Sequence, residues 1–173
     1  MTEVAVVLMA YGTPRAREEI EPYYTDIRRG RPPTPELLAD LVRRYDAIGG
    51  ISPLAARTEA QRVALQSALD HRAPGRFEVV LGLKHAHPMI EETAEQVVAR
   101  GIRKVVGVVL APHYSAYSIG QDLDRLKAVC EPAGVQVGAI DSWATEPAYV
   151  QFLATEVNRH LAELPPDSKI LFT

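Results

Sequence analysis

Val4-Ala5-Val6-Val7-Leu8-Met9-Ala10, followed at once by Tyr11-Gly12-Thr13-Pro14, decides the fold. The run is apolar at every position and rich in valine. A strand with one wet face would alternate, so a strand apolar on both faces belongs inside a parallel sheet. Phe77–Leu83 and Lys104–Ala111 read the same way, and Val135–Asp141 is a fourth, weaker candidate. Helical periodicity fills the intervals: Pro35–Ile48, Pro53–Arg72, Pro88–Arg100, Gly120–Glu131 and Pro147–Leu164. Ser52 ahead of Pro53 and Glu146 ahead of Pro147 mark helix starts, since proline suits a first helical position and a serine hydroxyl satisfies an unpaired amide. Strands alternating with helices predict an α/β domain, a Rossmann-like or flavodoxin-like layer of four parallel strands with helices on both faces.

Open parallel sheets bind ligands beyond the carboxyl ends of their strands. The first strand runs out into Tyr11-Gly12, which lacks the Gly-x-Gly-x-x-Gly of a dinucleotide loop and carries a phenol in the turn. Gly12 lets the backbone turn sharply. Tyr11 then either caps the core or projects into the crevice. The second strand delivers Lys84-His85-Ala86-His87-Pro88 and the third delivers Ala111-Pro112-His113. His85, His87 and His113 therefore share the ligand-binding edge. They read either as imidazole ligands for a divalent metal, with zinc or iron the best suited, or as loop caps.

Residues 20–54 hold a denser constellation. Tyr23, Tyr24 and Tyr45 alternate with Arg28, Arg29, Arg31, Arg43 and Arg44, and Gly49-Gly50 turns the chain before Ser52. Rings and guanidinium forks together suit a flat apolar ligand with peripheral carboxylates. The plainer alternative is a solvated basic helix end. The Gly30–Pro35 stretch reads as a stiff connector between helices.

The totals limit the possibilities. A chain of 173 residues with 47% apolar and 24% charged residues is sized for one soluble domain. A net charge of −3 argues against a nucleic-acid binder, whose signature is a basic excess. Of the 19 basic residues 15 are arginine, the residue that grips carboxylates bidentately. Cys130 is the single cysteine, so no intrachain disulfide forms and an iron–sulfur cluster lacks its thiolates. No stretch resembles a signal peptide or a membrane span, and a reducing, cytoplasmic setting is expected.

Several motifs together closely resemble the water-soluble ferrochelatases of Gram-positive bacteria. They are Met9-Ala-Tyr-Gly-Thr-Pro14, Tyr23-Tyr-Thr-Asp-Ile-Arg-Arg-Gly-Arg31, Tyr45-Asp-Ala-Ile-Gly-Gly-Ile-Ser-Pro-Leu54, Gly82-Leu-Lys-His85 and Leu110-Ala-Pro-His-Tyr-Ser115. The resemblance runs the length of the chain but over only about the first half of a family member. It implies insertion of Fe²⁺ into coproporphyrin III, with two similar chelatase-type domains enclosing the porphyrin. Tyr11 matches the axial tyrosine that approaches the metal, while Arg28, Arg44, Tyr45 and Ser52 match porphyrin contacts, chiefly to the propionates. Asp122 falls where relatives carry a porphyrin-contacting tyrosine, and Tyr117 is an alternative for that contact. The family's iron-handling His and Glu are expected beyond Thr173. Fe²⁺ and porphyrin are substrates, and no tightly bound cofactor is expected.

The domain is expected to span residues 1–164. Pro165-Pro166 then breaks the helix, and Lys169–Thr173 is expected to begin another apolar strand, the crossover into a second domain of a longer protein. A full-length member is expected to be a monomer without membrane span or nucleic-acid partner. Two other readings stay open: a short homodimeric cobalt or nickel chelatase using His85, His87 or His113, and a porphyrin-binding module without turnover. Nucleotide binding has only the layer architecture in its favour.

Overall fold

A computed structural model describes residues 2–171. Two compact units are present, residues 1–141 and residues 142–173, and each is taken by itself.

The first unit is built on β1 (Val4–Ala10), every residue of which is buried. It pairs in parallel with β2 (Phe77–Leu83) on one side and β3 (Lys104–Val109) on the other. The fourth strand, β4 (Gln136–Ile140), adds in parallel to β3, giving the order β2-β1-β3-β4. β1 and β2 begin and end where the apolar runs predict. β3 stops at Val109 instead of Ala111, because the chain turns off toward Pro112, which has no amide to offer a ladder. β4 is one residue shorter at each end than predicted.

The two faces of β1 divide the helices. Ala5, Val7 and Met9 point toward α4 (Ile90–Ala99) and α5 (Gln121–Cys130), meeting Ile90, Ala94, Leu123 and Leu126. Val6 and Leu8 point to the opposite face, where Leu65 and Leu69 of α3 (Leu54–Arg72) cover them. Gly107 of β3 sets how closely α5 can approach, since a Cβ there would stand 2.8 Å from Leu126 Cδ2 and 2.9 Å from Leu123 Cδ2. Cys130 is fully buried in that layer, and burial pushes its thiol up from the ordinary 9.0.

β2 is an edge strand, and its outward groups are met by side chains. Gln66 accepts from Val79 N–H at 2.7 Å and donates to the Phe77 carbonyl at 3.1 Å. Arg62 donates to the Val79 carbonyl at 3.2 Å and Thr93 to the Leu81 carbonyl at 2.6 Å.

Between β1 and α3 the chain forms a 3-10 turn (Arg17–Glu19), α1 (Ile20–Ile27) and α2 (Pro35–Ala47). The periodicity does not predict α1. It is two turns long, and Pro22 is tolerated only because it sits in the first turn, where amides are unpaired anyway. Thr34 caps α2 by accepting from Leu37 N–H at 3.4 Å. The helix α3 begins at Leu54 and not Pro53, with Ser52 Oγ accepting from Leu54 N–H at 3.2 Å. A π-helical turn, Ala116–Gly120, precedes α5.

The second unit holds α6 (Pro147–Glu163), started by Pro147 as predicted. Of the strand expected over Lys169–Thr173, Lys169–Leu171 carry no regular secondary structure; Pro165 opens a turn whose Ser168 N–H meets its carbonyl at 3.0 Å. Phe172 and Thr173 lie outside the described residues. Among the described residues no helix is long and apolar enough to cross a membrane.

Candidate functional site

The chain leaves β1 toward β2 on one side and returns to β3 on the other, so a crevice opens beyond the carboxyl ends of β1 and β3. Tyr11 stands in it. Gly12, at φ 85°, turns the chain directly behind that ring, and a Cβ there would lie 2.9 Å from Ala86 Cβ. Both the left-handed backbone and the close approach demand glycine.

The Tyr11 side chain, with the residue 49% exposed, borders two cavities. One, of about 420 Å³, is walled by Val109, Leu110 and Ala111 with Leu54, Thr58 and Asp122. The other, of about 290 Å³, is walled by Tyr23, Arg44, Tyr45, Ile48 and Ser52. Four of the five residues expected at the site, Tyr11, Arg44, Tyr45 and Ser52, thus line a single cavity. Arg28 lines neither; its Nε donates to the Arg31 carbonyl at 3.2 Å and its guanidinium lies 5.6 Å from the Tyr24 ring centre.

Charge is arranged unevenly around the phenol. On the arginine side, Arg44 is exposed and pairs with Asp40 at 2.6 Å, a surface contact that a ligand carboxylate can displace at small cost. Ser52 Oγ accepts from Leu54 N–H, which leaves its O–H able to donate. Tyr45 is buried and shares a 3.1 Å hydrogen bond with Thr13 Oγ1. On the β3 side, Asp122 is only 2% exposed, and its Oδ1 lies 2.9 Å from Lys84 Nζ. That contact is an ion pair off the line of a hydrogen bond, so Oδ1 has no aligned donor. Tyr117, the alternative at this place, is 86% exposed and does not line the cavity, whereas Asp122 does.

His85 lies against Tyr11, ring centres 4.5 Å apart at 62°. Its Nδ1 is 2.6 Å from Asp26 Oδ2 on α1. A carboxylate only accepts, so in the neutral ring the proton sits on Nδ1. Burial, and then the negative charge of Asp26, hold the Tyr11 phenol above its ordinary 10.0. Burial, followed by the neighbouring Tyr45 and Tyr11, pushes the Tyr23 phenol well above that value. In this state both are neutral phenols at neutral pH, donors and not bases.

The three histidines do not meet. His87 Nδ1 is 2.9 Å from Glu92 Oε2 and His113 is exposed. Among the described residues no group of three or more His, Cys, Asp or Glu could hold a metal ion. The sequence reading did not single out Asp26, Thr58, Gln61 or Ser118 around the crevice. Asp26 meets a partner 59 positions away, a separation that no local pattern encodes. Ser118 reaches the cavity from within the π turn that precedes α5, a local geometry often found at functional sites.

Comparison with known proteins agrees with this architecture. A family model described as Ferrochelatase matches residues 3–173. Relatives named coproporphyrin III ferrochelatase include one from Oceanobacillus iheyensis, 44% identical over 96% of this chain and 54% of its own length. One from Staphylococcus epidermidis is 44% identical over 94% of this chain and 53% of its own length. One from Listeria monocytogenes is 42% identical over 95% and 54% respectively. The chain spans about half the length of the curated relatives it matches.

Proposed function

The chain belongs to the ferrochelatase family, and on that premise we propose that it forms the porphyrin-gripping half of an enzyme inserting Fe²⁺ into coproporphyrin III. The observation that carries this reading is the shared cavity in which Tyr11, Arg44, Tyr45 and Ser52 meet. A macrocycle lying over Tyr11 would offer its apolar face to the walls of Leu54, Val109 and Leu110, and its peripheral acids to Arg44 and the Ser52 hydroxyl. Arg28 joins them once its guanidinium leaves the Arg31 carbonyl.

Metallation removes two pyrrole protons, strips water from the metal and brings it to the ring. Binding energy from the peripheral carboxylates can support bending of the macrocycle, which exposes the nitrogen lone pairs. Tyr11 approaches the metal axially on the near face. Its phenol is held neutral by burial and by Asp26, so proton acceptance falls to other groups. In this proposal they are a His and a Glu contributed by the remaining half of a full-length member. Residues 1–164 would be the first domain and residues 165–173 the beginning of the crossover. Iron and porphyrin would both be substrates, no resident cofactor would be needed, and the full-length monomer would work in the cytoplasm.

Titration of the chain with metal-free coproporphyrin III, read by its visible absorbance, tests the grip. Saturable binding is expected, and Arg44→Ala is expected to weaken it about tenfold, the low end for an exposed charge-assisted contact. Binding indifferent to Arg44→Ala and Ser52→Ala together would remove the propionate assignment. A tight homodimer that loads cobalt into sirohydrochlorin would favour the short-chelatase reading instead. An iron-insertion assay on the same samples separates binding from turnover, and little insertion is expected.

A further inference from the structure

Tyr11 is placed by its neighbours more than by its own backbone. It follows the last residue of β1 and precedes a glycine in the left-handed region, and cavities open beside it. A half-exposed ring on such a turn keeps its rotamer freedom unless something holds it, and ordering a side chain of this kind costs free energy at the moment of binding. His85 is that support. Its amide donates to the Tyr11 carbonyl at 3.0 Å, and its ring meets the phenol ring edge-on at 4.5 Å. The His85 ring is fixed in turn from α1 by Asp26 at 2.6 Å. Asp26 lies three residues after Tyr23, on the same helical face, and Tyr23 walls the arginine-side cavity. One short helix thus orients the axial tyrosine and lines the carboxylate grip.

We propose that Asp26 and His85 are positioning residues for the axial Tyr11, the carboxylate orienting the phenol through the imidazole ring it holds. This rests on the porphyrin reading above. The consequence is that α1, unremarkable by its periodicity, sets the angle at which the phenol oxygen meets the metal, and does so before the ligand arrives.

Ferric coproporphyrin III added to the chain supplies the test, since phenolate ligation of ferric iron gives a charge-transfer band in the visible spectrum. The unaltered chain is expected to show the band and Tyr11→Phe to lose it. His85→Ala is expected to diminish the band and weaken binding about tenfold, near the upper limit of one aromatic pair. His85→Phe keeps a ring against the phenol and should restore both to within about threefold. Asp26→Ala should behave like His85→Ala in the unaltered chain, yet cause no further loss of band or binding in the His85→Phe background, where no imidazole remains to be held. Persistence of the full band in His85→Ala, with Tyr11→Phe still abolishing it, overturns the positioning role and leaves the axial reading standing. An Asp26→Ala effect undiminished in the His85→Phe background also overturns it, showing that the carboxylate acts directly. Retention of the band by Tyr11→Phe overturns the axial reading and the positioning role together. Should His85→Ala fail to fold, His85→Phe and the Asp26→Ala pair decide the matter by themselves.

Discussion

Gly12 and Asp26 act on the same phenol from opposite directions. Gly12→Ala places a methyl 2.9 Å from Ala86 Cβ and imposes an L-residue on φ 85°. We expect a loss of about 1–3 kcal/mol from the backbone conformation alone, read as a lower urea midpoint, with the proposed porphyrin binding lost as the Tyr11 turn shifts. Asp26 contributes negative charge. Removing it by Asp26→Asn should bring the Tyr11 phenol down toward 10.0, because the carboxylate is one of the two causes that raise it. A phenolate absorbance titration, compared with that of Tyr11→Phe to isolate the one residue, checks the shift. An unchanged or higher Tyr11 midpoint in Asp26→Asn would mean that burial alone sets it. The Tyr11 turn was legible because glycine after a buried strand has few other uses. Its orientation was not, since Asp26 and His85 come together only in the folded chain.

Among the elements, β1 could be read to the residue because both of its faces are covered, which leaves no room for polar alternation, and β2 because its run is apolar at every position but Glu78. The helix α1 was invisible for the opposite reason: too short for a period to show, with a proline inside it. The loop after β2 is likewise a tertiary product. Arg125 of α5 donates to both oxygens of Glu91 on α4, at 2.6 and 2.7 Å, and to the Lys84 carbonyl at 2.9 Å. It joins two helices to the residue immediately before His85. The guanidinium holds the Glu91 carboxyl below its usual range. We expect Arg125→Ala to cost about 1–3 kcal/mol, discounted for partial exposure from the value of a charged hydrogen-bond set, measured by urea unfolding. Arg125→Lys should recover only part, because an ammonium cannot bridge both oxygens in the plane of a fork. The Glu91 contribution is present above the ordinary carboxyl value of 4.5 and declines as pH falls below it. Full recovery in Arg125→Lys would argue that charge alone matters at this joint.

For the whole molecule, the two raised phenols make alkaline pH the revealing direction. Folding raises Tyr23, and to a lesser degree Tyr11, above the unfolded value near 10.0. Between the unfolded and folded values the native state holds more protons, so stability falls as pH rises through that window and is undiminished by these groups below it. Urea midpoints measured from neutrality to strongly alkaline pH should decline from about pH 10 upward, and Tyr23→Phe should flatten the decline. The overall architecture was readable from alternation alone, whereas the site needed pairings across long stretches of chain. One further property follows from the side chains of Gln66, Arg62 and Thr93 that meet β2. A ribbon of hydrogen bonds can spread from molecule to molecule only if each sheet offers two receptive borders. Here the β2 border is answered from within at Phe77, Val79 and Leu81, which disfavours strand addition on that side. A border occupied in this way works against a ribbon that extends by adding strands along it.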